Sequence, residues 1–254
     1  MSDRIMASHT AAHIGTDQVW CAVPVYNNAA TVRGVATGCR SHLPNVIVVD
    51  DGSTDADLRA VFEDTDITVI RHEHNQGKGR AIMTALRHVG AGRGTHLLIV
   101  DGDGQHDPAD IQKFLPAIRN NPAGIVIGCR DFTTENVPGG SRFGRRFSNF
   151  WLRLETGVAT RDSQSGFRAY PVELVLRLRL HGRHYDFEAE VLTRAAWAGL
   201  SLVDVDVGVH YPPAEERVSH FRPVLDNFRI SCIHARLVGR RLVPLPHRKL
   251  VNSG

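Results

Sequence analysis

The most informative stretch of the chain is Leu97-Leu98-Ile99-Val100-Asp101-Gly102-Asp103-Gly104-Gln105-His106-Asp107-Pro108, an apolar run followed at once by an acidic turn with two glycines. The apolar run is typical of a buried strand that ends at Val100. Asp107 and Pro108 are residue types preferred at the N-cap and the first position of a helix. The stretch therefore predicts a strand, a polar turn and a helix, the repeating unit of α/β folds with a parallel sheet.

The same alternation extends over the first half of the chain. Short apolar runs predict strands, and stretches of helical length separate them. The predicted strands are Val19–Val25, Val46–Val49, Thr68–Ile70, Leu97–Val100 and Ile125–Ile127. The predicted helices are Ala29–Ser41, Asp55–Glu63, Lys78–Val89 and Pro108–Asn120. We expect a Rossmann-like, mostly parallel sheet flanked by helices, and such sheets bind ligands beyond the carboxyl ends of their strands.

The second half of the chain predicts a helical and strand extension of the same fold. Six apolar residues between Phe143 and Val158 recur at helical spacing and form one helix face. Further helices are predicted at Val172–Arg179 and Phe187–Trp197, with a strand at Leu202–Val209. We expect a disordered leader over residues 1–16, a single domain over 17–239 and a basic tail over 240–254.

The last predicted helix, Arg222–Val238, is amphipathic and basic. Phe221, Leu225, Phe228 and Cys232 form an apolar row, and arginines recur beside it every seven residues. A helix of this kind can lie on an anionic membrane. It can equally pack its apolar row on the core of the domain, and we expect this second arrangement.

Composition excludes several classes of protein. The 254 residues carry a formal net charge of +3, which gives no indication of nucleic-acid binding. The four cysteines form no CxxC pair, so neither a zinc ribbon nor a redox motif is predicted. No apolar run is long enough to cross a bilayer. We expect a cytoplasmic protein whose contact with the inner face of the membrane, if it has one, is peripheral.

The turn after Val100 predicts a metal site. Asp101 and Asp103 are separated by Gly102, so both carboxylates can reach one cation, and Gln105 can add a carbonyl oxygen. Oxygen ligands of this kind suit Mg²⁺ or Mn²⁺, which usually also bind substrate phosphates. The alternative is an acidic turn that only caps the following helix.

Three further turns place polar residues at predicted strand ends. In Asp50-Asp51-Gly52-Ser53-Thr54-Asp55, the first two carboxylates can accept hydrogen bonds from a nucleobase or a ribose, and Ser53 or Thr54 is expected to be a helix N-cap. The first strand ends in Pro24-Val25-Tyr26-Asn27-Asn28. Asn75-Gln76-Gly77-Lys78-Gly79 opens a helix, whose N-terminus is a natural place for an anion. This last turn lacks the spacing of a P-loop.

Together the four turns resemble those of the family 2 glycosyltransferases of the GT-A fold, which show a PxYN segment, a DDGSxD segment, an NxGxG turn and a DxD motif. The match continues in Gly128-Cys129-Arg130, in a helix from Ser141 and in Asp162-Ser163-Gln164-Ser165-Gly166-Phe167-Arg168. These later features are most similar to the dolichol- and polyprenyl-phosphate mannose synthase branch. The resemblance covers roughly residues 19–211, and Asn28 departs from it because the family commonly has Glu there.

The resemblance implies a donor site for a UDP- or GDP-linked sugar, with a divalent cation, Mg²⁺ or Mn²⁺, as the cofactor. The implied metal ligands are Asp101, Asp103 and Gln105. The implied donor-binding residues are Pro24, Tyr26, Asn27, Asp50, Asp51, Asn75, Gly77, Lys78, Asp101, Gly102, Asp103 and Gln105.

The resemblance also implies catalytic residues and an acceptor site. The implied catalytic residues are Asp103, Asp162, Arg130 and Glu188. The implied acceptor- or phosphate-binding residues are Arg130, Arg142, Arg146, Ser165 and Arg168. Structural alternatives stay open: a surface salt bridge for Arg130, a solvated helix face for Arg142 and Arg146, and a helix-dipole contact for Glu188.

The implied reaction is inverting transfer of a sugar to an acceptor, which we expect to be a polyprenyl phosphate at the cytoplasmic face of the membrane. Such a phosphate is already an oxyanion near neutral pH, because its second pKa is about 6. A soluble acceptor with a hydroxyl group would require a carboxylate base, for which Asp162 and Glu188 are candidates. More distant alternatives are a nucleotidyltransferase and a non-catalytic nucleotide-sugar-binding module.

Overall fold

A computed structural model describes residues 14–133, 139–211, 223–243 and 247–251 of the chain. Its strands are β1 (Val19–Val25), β2 (Asn45–Asp50), β3 (Thr68–Arg71), β4 (His96–Ile99), β5 (Ile125–Arg130), β6 (Arg168–Pro171) and β7 (Leu202–Val207). Its α-helices are α1 (Ala29–Arg40), α2 (Leu58–Val61), α3 (Lys78–Ala91), α4 (Ile111–Asn120), α5 (Gly139–Thr156), α6 (Val172–Leu176), α7 (Asp186–Trp197) and α8 (Pro223–Leu242).

The seven strands form one sheet in the order β3-β2-β1-β4-β6-β5-β7. Only β6 runs antiparallel to its neighbours, so the prediction of a mostly parallel sheet is confirmed. The first residue of β6, Arg168, lies beside Ile99 of β4 and Ile127 of β5. The loop that precedes β6 therefore reaches the same edge of the sheet as the turns that follow β4 and β5.

Strands β1, β2, β4, β5 and β6 are buried on both faces of the sheet, and successive side chains of each strand point to opposite faces. In β4, Leu98 packs in the core beneath α1 and α4, and Leu97 and Ile99 pack in the core beneath α3, α6 and α7. This two-sided burial explains why the strands read as continuous apolar runs. The core fixes the strand ends, and with them the turns that carry the polar residues.

The prediction of a helix over Asp55–Glu63 is wrong in the length of the helix and in its N-cap residue. Only α2 is helical there, and its N-cap is Asp57, whose side chain accepts a hydrogen bond from Arg59 N at 3.1 Å. Ser53 Oγ instead accepts a hydrogen bond from Asn27 N, and Thr54 N donates to Asn27 Oδ1. The turn after β2 is therefore tied to the turn after β1, and the chain becomes helical only after Asp57. By contrast, Asp107 caps the 3-10 helix Pro108–Asp110 as predicted.

On α5 and α8 the apolar faces seen in the sequence are not the faces that are buried. On α5, Ser148, Leu152 and Glu155 are buried, and most of the predicted apolar face is exposed. On α8, the described part of the predicted apolar row is exposed as well, so the expectation that this row packs on the core is wrong. The residues of α8 that pack inward include Ile233, Leu237 and His234. Phe221 of the predicted row lies outside the described residues.

The predicted leader and tail lie only partly within the described residues. Ile14 is buried, and its carbonyl oxygen accepts a hydrogen bond from Arg119 Nε at 3.0 Å. At the other end, the His247 ring stacks on Trp197 at 4.1 Å, and Leu250 N donates to Ala198 O at 2.8 Å. Within residues 14–133, 139–211, 223–243 and 247–251, no helix has both the length and the apolar character that a membrane span requires.

Candidate active site

A cavity of about 1160 Å³ opens at the carboxyl edge of the sheet, where four predicted turns meet. Several segments contribute to its wall: the ends of β1, β2, β4 and β5, the start of α3, the loop before β6, and parts of α5, α7 and α8. The predicted site residues that line it are Pro24, Tyr26, Asp51, Asn75, Gly77, Lys78, Asp101, Gly102, Asp103, Gln105, Arg130 and Glu188. Asn28 lines the cavity as well.

Lys78, the first residue of α3, joins two carboxylates at the centre of this cavity. Its Nζ lies 2.8 Å from Asp101 Oδ1 and 2.7 Å from Glu188 Oε1. Burial opposes the charge on Lys78, but Asp101 and Glu188 outweigh it and hold the pKa of the ammonium well above its usual value. Lys78 is therefore a fixed positive charge that connects the end of β4 to the first turn of α7.

Asp101 and Asp103 lie in different electrostatic surroundings. Burial opposes the charge on Asp101, but the neighbouring Lys78 ammonium lowers the pKa of this carboxyl below its usual value. Burial, and after it the negative charge of Asp101, raises the pKa of Asp103. A divalent cation between the two carboxylates would relieve this repulsion, so the pair suits a cation on electrostatic grounds.

Asp101 and Asp103 by themselves are an incomplete ligand set for a cation. Among the described residues, no three His, Cys, Asp or Glu side chains cluster closely enough to hold a metal ion by themselves. A cation at Asp101 and Asp103 would have to complete its shell with Gln105, water or phosphate oxygens. Mg²⁺ is usually bound in this way, by one or two carboxylates and by substrate phosphates.

Arg130, the last residue of β5, is held by Asp162 in a two-pronged ion pair. Arg130 Nε and Nη2 lie 2.7 Å and 3.0 Å from the two carboxylate oxygens of Asp162, which is fully buried. This geometry fixes the plane of the guanidinium beside the cavity. Arg130 thus does form a salt bridge, but a buried one at the cavity wall and not the surface pair considered as an alternative.

Asp162 itself does not line the cavity, although it was predicted to be catalytic. Both of its carboxylate oxygens are occupied by Arg130, and Gln164 N donates to Oδ1 at 3.3 Å. The geometry therefore favours a positioning role for Asp162 in place of the role of a base.

Two other predicted residues, Asn27 and Asp50, are used to build the turns and lie outside the cavity wall. Asp50 Oδ2 lies 2.8 Å from Arg71 Nη1, and its Oδ1 accepts a hydrogen bond from Ser53 N. Asp51, the next residue, does line the cavity and accepts hydrogen bonds from the backbone nitrogens of Gln76 and Gly77. A nucleoside contact is thus compatible with Asp51, and the prediction for Asn27 and Asp50 is corrected to a structural role.

Ser165 and Arg168 are fully buried below the cavity floor, contrary to their prediction as phosphate-binding residues. Arg168 donates to the backbone oxygens of Ser163 at 2.7 Å and Glu188 at 2.9 Å. Ser165 Oγ accepts a hydrogen bond from Phe167 N. These contacts join the loop before β6 to the first turn of α7, and so they position Glu188.

Arg142 and Arg146 lie on α5 outside the cavity wall, while Phe143 and Phe147 of the same helix line it. Arg146 is exposed and Arg142 is half-buried. The alternative of a solvated helix face thus describes Arg146 in this structure.

Aromatic residues that the sequence did not single out complete the wall. His184 and Tyr185, directly before α7, line the cavity, and burial raises the pKa of Tyr185 to about 12. His106 lines it too, and burial lowers the pKa of its ring. His184 and Tyr185 were not predicted from the sequence because only the acidic residues in the first turn of α7, which directly follow them, were considered there.

We expect Gly166→Ala to lower both the stability of the protein and its activity. The added methyl carbon would contact the Asp101 carboxylate and lie 2.7 Å from Lys78 Nζ. Overpacking of this kind typically costs about 1–3 kcal/mol. Urea unfolding measures the loss, and Gly102→Ala is the matched control because its methyl carbon would meet neighbours no closer than 3.4 Å. Equal stability of the two variants would contradict the crowding at Gly166.

Comparison with known families adds to this geometry. The family model described as Glycosyl transferase family 2 matches residues 20–177, more than half of the chain. The chain belongs to glycosyl transferase family 2. This glycosyltransferase is therefore an enzyme, and the alternatives of a nucleotidyltransferase and a non-catalytic binding module are set aside.

Relatives and a solved structure agree with this family 2 assignment. The chain is 28% identical to the UDP-N-acetylglucosamine–dolichyl-phosphate N-acetylglucosaminyltransferase of Methanococcus voltae, over 76% of this chain and 86% of the relative. It is 29% identical to the undecaprenyl-phosphate mannosyltransferase of Micrococcus luteus, over 73% of this chain and 80% of the relative. Mannosyl-3-phosphoglycerate synthase from Rubrobacter xylanophilus superposes with a TM-score of 0.64 at 20% identity, over 88% of this chain and 73% of that one. The GT-A fold and the resemblance to the polyprenyl-phosphate branch are confirmed.

Proposed function

We propose that this glycosyltransferase moves a sugar from a nucleoside diphosphate to a polyprenyl phosphate, with Mg²⁺ or Mn²⁺ bound at Asp101 and Asp103. The observation that carries the proposal is the arrangement of charges in the cavity. A carboxylate pair suited to a cation lies beside Lys78, and Arg130 provides a separate, fixed positive charge. Two separated cationic positions suit a reaction that joins a diphosphate donor to a phosphate acceptor. The names of the two relatives support this acceptor class.

The donor is proposed to bind between the turns after β1, β2 and β4. A bound divalent cation would stabilise the negative charge that develops on the departing nucleoside diphosphate. Lys78 can contact the same diphosphate, because its ammonium already lies against Asp101 at the N-terminus of α3. Asp51 holds the turn before α3 through two backbone nitrogens, which keeps Lys78 at this position.

The pairing of the candidate bases favours a phosphate acceptor. Asp162 is bound by Arg130, and Glu188 is bound by Lys78. A hydroxyl acceptor needs a carboxylate that can take up its proton, but both candidates are already bound by cations, and Asp162 lies outside the cavity wall. A phosphate needs no base, since its oxyanion is present near neutral pH, and Arg130 presents a planar donor suited to it.

A thermal-shift panel tests the donor and the metal together. We expect one class of nucleotide sugar, UDP- or GDP-linked, to raise the melting temperature with Mg²⁺ or Mn²⁺ and not with EDTA, because a ligand that binds only native protein stabilises it. At a ligand concentration of about 100 times Kd the gain is about 2.7 kcal/mol. An equal shift with EDTA would contradict the metal, and no shift with any donor would contradict the donor class.

Product analysis then tests the acceptor. With the donor found above, polyprenyl phosphate in detergent is expected to be glycosylated, and the corresponding free polyprenol is expected not to react. Glycosylation of the free alcohol would instead favour the hydroxyl-acceptor alternative, with Glu188 released from Lys78 to act as the base. Inversion at the anomeric carbon is checked by NMR of the same product.

A further inference from the structure

The exposed apolar surface of the protein is concentrated on two helices. Among the described residues, every large hydrophobic side chain that is exposed lies on α5, on α8 or within two residues after one of them. These residues are Phe143, Phe147, Phe150, Leu154, Val158, Leu225, Phe228, Leu242 and Val243. Phe143, Phe150 and Phe228 are 71%, 60% and 66% exposed. Exposed apolar side chains that cluster in this way mark an interaction surface.

The charge on the same two helices is one-sided. Each helix contains four arginines and a single acidic residue, Glu155 on α5 and Asp226 on α8. Both acidic residues are buried, at 1% and 3% exposure, so neither offers a negative charge to solvent. The solvent-facing charge of α5 and α8 is therefore entirely positive.

A buried contact joins the two helices into one surface. His234 Nδ1 of α8 lies 2.7 Å from Glu155 Oε1 of α5, and the His234 ring stacks on Trp151 at 5.3 Å. Phe143 and Phe147 of α5 also line the cavity. The surface formed by α5 and α8 thus continues directly into the mouth of the candidate active site.

We propose that α5 and α8 form a docking surface for an anionic lipid bilayer. The proposal rests on the proposed function, because it explains how a lipid-linked acceptor reaches the cavity. Exposed aromatic and leucine side chains can enter the interfacial region, while arginines beside them contact acidic headgroups. A second copy of the chain fits this surface less well, since it would place arginines against arginines.

Vesicle co-sedimentation tests the docking surface. The vesicles contain phosphatidylcholine with about 30 mol% phosphatidylglycerol, which mimics an anionic leaflet. We expect the protein to bind them far more strongly than it binds vesicles of phosphatidylcholine alone. The combined variant Arg153→Glu, Arg236→Glu and Arg241→Glu is expected to lower the partition coefficient about 100-fold or more. The reason is that each basic residue near an anionic membrane contributes about 1 kcal/mol to binding, and about 1.4 kcal/mol corresponds to a tenfold change. Arg59→Glu, Arg87→Glu and Arg179→Glu change three exposed arginines that lie outside α5 and α8, and they form the matched control. Equal binding by the two triple variants would overturn the proposal.

The apolar part of the surface is tested separately. Phe150→Ser with Phe228→Ser is expected to weaken vesicle binding while the melting temperature stays unchanged, because both side chains are exposed. Cys232 on α8 is exposed and the other three cysteines are buried, so a thiol-reactive, polarity-sensitive dye reports on this helix. We expect its emission to shift to the blue with anionic vesicles. No shift, or a dimer in solution that Phe228→Ser dissociates, would overturn the bilayer as the occupant.

A soluble assay separates this proposal from the proposed function. A short-chain, water-soluble prenyl phosphate without vesicles bypasses the docking surface. If the protein transfers sugar to this soluble prenyl phosphate but does not bind vesicles, the docking surface is overturned and the proposed function stands. Vesicle binding without transfer to any prenyl phosphate would support the docking surface and overturn the proposed acceptor.

Discussion

Asp103→Ala is expected to reduce sugar transfer at least about 10³-fold and to leave the fold intact. In the proposed site this carboxylate holds the divalent cation, whose stabilisation of a departing diphosphate is worth several kcal/mol, and about 1.4 kcal/mol corresponds to a tenfold change in rate. Burial and the neighbouring Asp101 disfavour the charge on Asp103 and raise the pKa of its carboxyl, while its Oδ1 accepts a hydrogen bond from Gln105 N at 3.0 Å. Removing the carboxylate relieves the repulsion and loses this hydrogen bond, so the free energy of unfolding should change by less than about 1 kcal/mol.

Initial transfer rates and urea unfolding measure the two effects, and Asp107→Ala is the matched control in the same turn. Asp107 caps the helix Pro108–Asp110 through a hydrogen bond from Ala109 N. Losing such a cap costs about 1 kcal/mol, so this variant should be less stable but active. Asp103→Ala should therefore lose activity and keep its stability, whereas Asp107→Ala should lose stability and keep its activity. Full activity of Asp103→Ala, with or without EDTA, would remove the metal assignment.

Arg130→Met is expected to reduce both transfer and stability. The variant leaves the fully buried Asp162 carboxylate without its partner, and breaking one side of a buried ion pair costs about 3–5 kcal/mol. A loss of stability therefore cannot by itself show that Arg130 is only structural. Transfer is expected to fall on the order of 10²-fold or more, because a charge-assisted contact to phosphate in a desolvated site is lost.

The double variant Arg130→Met with Asp162→Asn separates the two roles. It removes both charges, so most of the lost free energy of unfolding should return, as is common when a buried ion pair is replaced as a whole. Transfer should stay as low as in the single variant, since no cation faces the acceptor. Recovery of transfer together with stability would show that Arg130 acts only through the fold. Urea unfolding and transfer rates of the same preparations decide between these results.

Local patterns predicted the turns that contain Asp51, Lys78 and Asp101, whereas Asn27 and Asp50 of the predicted donor set lie outside the cavity wall. The turns that contain Asp51, Lys78 and Asp101 follow strands whose apolar runs are short and uninterrupted, and the parallel sheet brings their ends together. Each of these turns could be placed from residues adjacent to it in the chain. The long-range pairs were not predictable in this way, because Lys78 meets Glu188 through the packing of α3 against α7.

Side-chain direction in the irregular segments could not be predicted either. Helices and strands have a period that tells which residues share a face, whereas the loop over Asp162–Phe167 has none. Ser165 is therefore buried, whereas Ser163, Gln164 and Gly166 of the same loop line the cavity. For α5 and α8 the period was clear, but amphipathicity alone does not say whether an apolar face meets the core or the exterior.

The antiparallel strand β6 has a consequence for engineering. The segment over residues 131–167 leaves the sheet at the end of β5 and returns at the start of β6, and these two strands are hydrogen-bonded neighbours. Its two ends are therefore held side by side, as in a very long hairpin that carries α5. We expect such a segment to be exchangeable between family members without a change in the order of the strands, provided that its buried pairs Asp162–Arg130 and Glu155–His234 are kept. A library of exchanged cassettes would vary one wall of the cavity on an otherwise constant scaffold.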